Sequence, residues 1–169
     1  MEDCKINFYC NLGKKFAKSR TVKSRDRKGS NATVSEAVQK KRCKNGRDFE
    51  KLVKDKFFEN DFWVKKLETG REGTPFDLLT VRKGMAFGIE CKHLEKMPEK
   101  FNIKQLRENQ LLGLDNFSEY GESFVVFGND DDIRIIAFEV LSSVREILVS
   151  VVPKLDSVLE CACLERERL

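Results

Sequence analysis

The stretch 74–92, TPFDLLTVRKGMAFGIECK, decides how this chain is read. It holds two short runs of apolar, aromatic and β-branched residues, 76–81 and 85–92, joined by the turn Arg82-Lys83-Gly84. Such runs closed around a glycine-containing turn predict an antiparallel hairpin. Side chains alternate along a strand, so Glu90 and Lys92 are expected on one face of the second run, with Asp77 across the hairpin from them. Two carboxylates held together against a half-buried sheet repel each other, and a divalent cation relieves the repulsion. Hard oxygen ligands favour Mg²⁺, with Mn²⁺ able to substitute, and the backbone carbonyl of Cys91 is a candidate third protein ligand. Lys92, beside such an ion, is placed to orient water or to oppose charge on a phosphate. The alternative is a cross-strand surface ion pair of the common, weak kind. Position argues against it, because acids in an otherwise apolar strand are costly unless compensated.

The pattern Asp/Glu-x-Lys occurs three times: Asp3-Cys4-Lys5, Asp26-Arg27-Lys28 and Glu90-Cys91-Lys92. In a chain with 36% charged residues the tripeptide alone says little. Strand placement selects the third.

Upstream, Phe49, Leu52, Val53, Phe57 and Phe58 recur at helical spacing over 46–60, with Glu50 on the flank of that face. A short strand is expected over 62–67, then a polar glycine loop over 68–75. Downstream, 103–117 has helical periodicity through Ile103, Leu106, Gln110, Leu111 and Leu114. Strands are expected over 123–127 and 133–138, around the acidic turn 128–132. The region from 139 onward reads as helical, broken near Pro153. The order α-β-β-β-α-β-β-α predicts an α/β fold, a mixed sheet flanked by helices.

Charge is distributed unevenly. Residues 1–45 hold 13 Lys and Arg against 4 Asp and Glu, whereas the remainder holds 19 against 24. The segment 14–31 is low in apolar residues, and a short helix is expected over 35–43 with Ser35 as N-cap. We read 1–44 as a basic N-terminal arm, 45–140 as the catalytic core and 141–169 as a C-terminal helical region. Lys14, Lys15, Lys18, Arg20, Lys23 and Arg25 make the arm suited to gripping a phosphate backbone. A merely solvated basic tail is the alternative. The apolar residues Leu141, Ile147, Leu148, Val151 and Val152 are candidates for core or for a subunit interface.

Other classes receive no support. No apolar run approaches the roughly 20 residues that span a bilayer, and 1–10 has no continuous apolar segment of the secretory kind. Six cysteines lie at 4, 10, 43, 91, 161 and 163 without a CxxC pair, and His93 is the sole histidine. That pattern does not predict a structural zinc site; free thiols in a reducing, cytoplasmic setting are expected.

Residues 46–94 resemble the core of the archaeal-type Holliday junction resolvases, nucleases of the PD-(D/E)XK superfamily. They carry a Glu on the first helix, a hydroxyl-containing glycine loop, the strand opening Pro75-Phe76-Asp77, and Glu90-Cys91-Lys92. The segment 101–110, FNIKQLRENQ, is more similar to the RecU-type resolvases, in which a Gln on the following helix reaches the active site. The resemblance implies a restriction-endonuclease-like fold and a Mg²⁺-dependent endonuclease acting as a homodimer on DNA, above all on four-way junctions. It implies Asp77 and Glu90 as metal ligands and Lys92 as the catalytic lysine. Glu50 would complete the acidic cluster, and Gln110 would reach a metal-bound water or the phosphate. Thr69 and Arg71 in the glycine loop, and His93 after the lysine, would contact DNA. An ion pair of Glu50 with Lys54 and a surface role for Gln110 are the alternatives. Phe76 separates Pro75 from Asp77, and the short span from Glu50 to Asp77 leaves no room for the RecU-type stalk. A nicking, restriction-like or flap nuclease of the same fold therefore stays open as an alternative, as does a non-catalytic nucleic-acid-binding module.

Overall fold

The computed structural model of the chain describes residues 36–68 and 74–164. In chain order the elements are α1 (Glu36–Glu59), β1 (Trp63–Lys66), β2 (Leu78–Arg82), β3 (Met85–His93), β4 (Lys100–Asn102), a 3-10 turn (Ile103–Gln105), α2 (Glu108–Phe117), β5 (Glu122–Gly128), β6 (Ile133–Ala137), α3 (Phe138–Val144), β7 (Glu146–Leu148), a second 3-10 turn (Val149–Val151) and α4 (Leu155–Leu164). Five strands form one sheet in the order β1-β2-β3-β5-β6. β3 and β5 run parallel and the other pairs antiparallel. A parallel pair needs a crossover, and the segment carrying β4 and α2 supplies it.

Alternation along the strands builds two apolar layers. On one face Phe49, Val53 and Phe57 of α1 and Leu155 and Leu159 of α4 meet Leu78, Ile89, Cys91 and Val126. On the other, Leu114 of α2 and Leu141 of α3 meet Phe76, Val125 and Phe127, with Phe101 of β4 stacked on Phe127 at 4.1 Å between ring centroids. Ile89 and Cys91 belong to the first face, so Glu90 and Lys92 point to the second, the α2 side. That parity is what puts the acid and the lysine under the crossover helix.

Several expectations are corrected. The helices expected over 35–43 and 46–60 are a single α1 running through Asn45 and Gly46. A mid-helix glycine costs roughly 1 kcal/mol, and the flanking Lys40, Lys41, Arg42, Lys44 and Arg47 are good helix formers that offset it. The boundary drawn at 44/45 thus falls inside α1, and the one at 140/141 inside α3. The helix expected from 103 starts at Glu108, because the Asn102 side chain accepts from Lys104 N at 2.9 Å and turns the chain into a 3-10 segment first. The C-terminal region is not purely helical: β7 pairs with β4 in a small second sheet that sequence periodicity does not reveal. Leu141 and Val152 are core residues, whereas Leu148 and Val151 are exposed.

Candidate active site

β2 begins at Leu78, so Asp77 lies one residue ahead of the strand, yet it is held in hairpin register. Its N–H donates to Ile89 O at 3.0 Å and its carbonyl accepts from Leu67 N at 2.9 Å. Its Oδ2 accepts from the Cys91 amide at 2.8 Å. Both backbone neighbours and one side-chain oxygen are therefore fixed, which sets Asp77 beside Glu90. Gly113 of α2 packs against the Pro75 backbone, where any Cβ would collide with the Pro75 carbonyl. The crossover helix thereby braces the segment that delivers Asp77.

Glu90 is 1% exposed. Its Oε1 is 2.9 Å from Lys92 Nζ and accepts from Gln110 Nε2. The Gln110 carbonyl Oε1 accepts in turn from Lys92 Nζ at 2.8 Å and from the Arg107 amide at 2.9 Å. The second bond is half of a capping box at the start of α2, and it fixes which end of the amide faces Glu90. Glu90 Oε2 is buried and has no hydrogen-bond partner.

The electrostatics follow from burial. Desolvation pushes the Glu90 carboxyl up to about 7; the charges of Asp77 and Glu50 add to the rise while Lys92 opposes it. Asp77 is also raised, first by burial, with the Cys91 amide pulling the other way. The Cys91 thiol is pushed well up by burial and lies in the core, so it is inert as a thiolate. Buried acids that repel each other, one with an unpartnered oxygen, suit a divalent cation. Among the described residues no three His, Cys, Asp or Glu side chains gather closely enough to hold a metal by themselves. Mg²⁺ fits that limit, since it commonly takes one or two carboxylates and completes its shell with water and substrate phosphate.

Asp77, Glu90, Lys92 and Gln110 are thus brought together. Glu50 stands at their edge, half-buried on α1, ion-paired with Lys66 and not with Lys54. Its charge still raises both central acids. His93 sits on the opposite face of β3 from Lys92, with its ring edge-on to Phe49 at 5.7 Å. It lines a cleft of about 330 Å³ with Lys41, Asn45, Glu95, Asn129, Asp130 and Asp131, next to the site and not within it. Thr69, Arg71, Lys14, Lys15, Lys18, Arg20, Lys23 and Arg25 lie outside the described residues. Sequence reasoning missed Lys66, Gly113 and the Arg107 amide. A spacing of Arg107 and Gln110 as N-cap and third helical residue was the available signal for the last.

No family model matches the chain, and none of the curated proteins is detectably similar to it. Among solved structures it is similar to Hjc of Archaeoglobus fulgidus, a Holliday junction resolvase from an archaeal hyperthermophile, at 16% identity and a TM-score of 0.54. The match covers 68% of this chain and 99% of that one. The chain has the fold of a Holliday junction resolvase. The restriction-endonuclease-like architecture implied by the resemblance of 46–94 is therefore present. Nearly the whole resolvase is accommodated in about two thirds of this chain, and the remainder lies outside the shared fold.

Proposed function

We propose that this chain is a Mg²⁺-dependent endonuclease that hydrolyses phosphodiester bonds in branched DNA, with four-way junctions as the leading substrate. The observation that carries the reading is Glu90, which neighbours Asp77 across the hairpin of a resolvase-like fold and whose buried Oε2 has no hydrogen-bond partner. A binding module has no use for so costly an arrangement.

The residues divide the work. Asp77, held by the Cys91 amide, and Glu90 Oε2 would hold the cation. When bound, the ion supplies positive charge against the phosphate and makes water more acidic. Lys92 spends two of its three N–H donors on Glu90 and Gln110, which leaves one for a phosphate oxygen or the attacking water. Gln110 keeps Glu90 Oε1 occupied, so that only Oε2 is offered to the metal. Cutting two opposed strands in concert calls for a symmetric homodimer. β1 and β2 are joined by the short segment 67–77, which favours the archaeal over the RecU arrangement.

The test is cleavage of labelled four-way junction, flap, nicked and linear duplex DNA with Mg²⁺ or EDTA, beside Asp77→Ala and Lys92→Ala. Paired symmetric cuts in the junction, lost with EDTA and in both variants, are expected. Cutting of linear duplex would move the substrate to the restriction-like alternative. Binding without cuts, equal in wild type and variants, would refute the enzyme.

A further inference from the structure

Among the described residues, the second face of the sheet is incompletely covered. α2 packs over β3 and β5, and α3 over β5 and β6, while α1 packs on the opposite face of β1. Burial in β2 records the difference: Leu78, Thr80 and Arg82 on the α1 side are buried, whereas Leu79 and Val81 are only half-buried. Phe62 and Val64 turn toward α1, so Trp63 and Lys65 turn to the open side. Trp63 is 58% exposed there. Leu67 continues the same row, and its amide is bonded to Asp77 O. Trp63, Lys65, Leu67 and the acidic pair therefore lie along one line on one face. Four residues of strand set Trp63 about 13 Å from the level of Asp77, and Lys65 about half that distance.

We infer that this shelf carries one DNA strand away from the site, with Lys65 on its backbone and an unpaired base stacked on Trp63. The inference rests on the nuclease reading and narrows its substrate. At about 3.4 Å per base step the strand reaches the indole about four nucleotides from the scissile phosphate. An indole can stack only on a base whose face is open, so the preferred DNA is unpaired there: an arm, flap or junction centre, not continuous duplex. Charge separates this occupant from a second copy of the chain. Trp63, Lys65, Leu79, Val81 and Ala86 include a cation and no anion. Two copies in contact through these residues alone would gain no opposite-charge pair, whereas a polyanion complements the cation.

Trp63 is the chain's one tryptophan, so its fluorescence reports on the shelf alone. The full chain, in EDTA to stop cleavage, is titrated with blunt duplex and with the same duplex carrying a single-stranded tail of one or of six nucleotides. The six-nucleotide tail should quench Trp63 and shield it from acrylamide, and the blunt duplex should not. Trp63→Ala should weaken binding of the tailed DNA roughly 5- to 100-fold, and Lys65→Ala should weaken the quench. Trp63→Phe, which keeps a ring, should restore much of the affinity. Equal quenching by blunt and tailed DNA would overturn the inference, as would none by either while wild type still cuts junctions. So would a concentration-dependent dimer, seen by sedimentation, that Trp63→Ala dissolves. Quenching by tailed DNA in a protein that cuts nothing with Mg²⁺ would keep the shelf and refute the nuclease.

Discussion

Glu90→Gln tests the energetics of the site apart from catalysis. Glu90 is 1% exposed, and its carboxyl is raised from 4.5 to about 7, chiefly by burial and then by Asp77. Because the folded-state value lies above the unfolded one, the folded protein holds the extra proton between those two limits. Stability is therefore full below about pH 4.5, falls as pH rises through the window to about 7, and levels off above it. At 1.36 kcal/mol per unit the loss is on the order of 3 kcal/mol, with the opposing pull of Lys92 already included. Asp77 moves in the same direction. Removing the charge should raise the melting temperature of metal-free protein near pH 8 by about 6–12 °C, using roughly 2–4 °C per kcal/mol for a chain of this size. Near pH 4.5 the variant and wild type should melt together.

Adding Mg²⁺ near pH 8 should then stabilise wild type and leave Glu90→Gln almost unmoved. A hundredfold excess over the dissociation constant gives about 2.7 kcal/mol. Melting curves followed by circular dichroism across the pH range, with EDTA and with MgCl₂, provide the readout. A metal-free wild type whose stability is flat or rising from pH 4.5 to 8 would refute the claim that Glu90 is an uncompensated buried acid. So would a Glu90→Gln variant that melts lower than wild type near pH 8.

Three further outcomes follow from the same geometry. Gln110→Ala frees both Lys92 and Glu90 Oε1, and loss of a partner that orients a metal-binding group typically costs 10–100-fold, so kcat for junction cleavage should fall by about that factor with KM less affected. Gly113→Ala places a Cβ against the Pro75 carbonyl; unfolding in urea should register a loss of roughly 1–3 kcal/mol or more, and activity should drop with it because Pro75 leads into Asp77. Deleting 1–35, which removes Lys14, Lys15, Lys18, Arg20, Lys23 and Arg25 together with Lys5, Arg27 and Lys28, should weaken DNA binding and reduce the slope of log affinity against log salt by up to about 8. An unchanged slope in anisotropy titrations would make the arm a bystander.

The sheet and the position of Asp77, Glu90 and Lys92 were legible because both depend on period two. Once 85–92 is a strand, the parity of Glu90 and Lys92 follows, and the glycine turn fixes the partner run. Gln110 was legible by resemblance, whereas its bond to the Arg107 amide depends on where α2 starts, and Asn102 moves that start by local capping. Periodicity could not show β4 pairing with β7, since each strand has three residues and the partners are some 46 apart. The continuity of α1 was misread because Asn45-Gly46 looks like a break, while the helix formers around it decide otherwise. His93 was expected near phosphate as the neighbour of Lys92, but alternation sends it to the α1 face.

The same alternation gives Glu90 its chemistry. A carboxylate on the α1 face at this position would meet the apolar layer of Phe49 and Val53. On the α2 face the crossover helix brings Gln110 in its first turn, and one amide serves Glu90, Lys92 and the helix start at once. Glu90 Oε1 is satisfied by that bridge and Oε2 is left with nothing. A buried oxygen left without a partner is costly, so the fold holds the site in a state that a cation would improve. Lys92 limits the cost without removing it, because its ammonium lies on the oxygen already served by Gln110. That unserved oxygen, on an acid already raised by the charge of Asp77, is the point on which the nuclease reading stands.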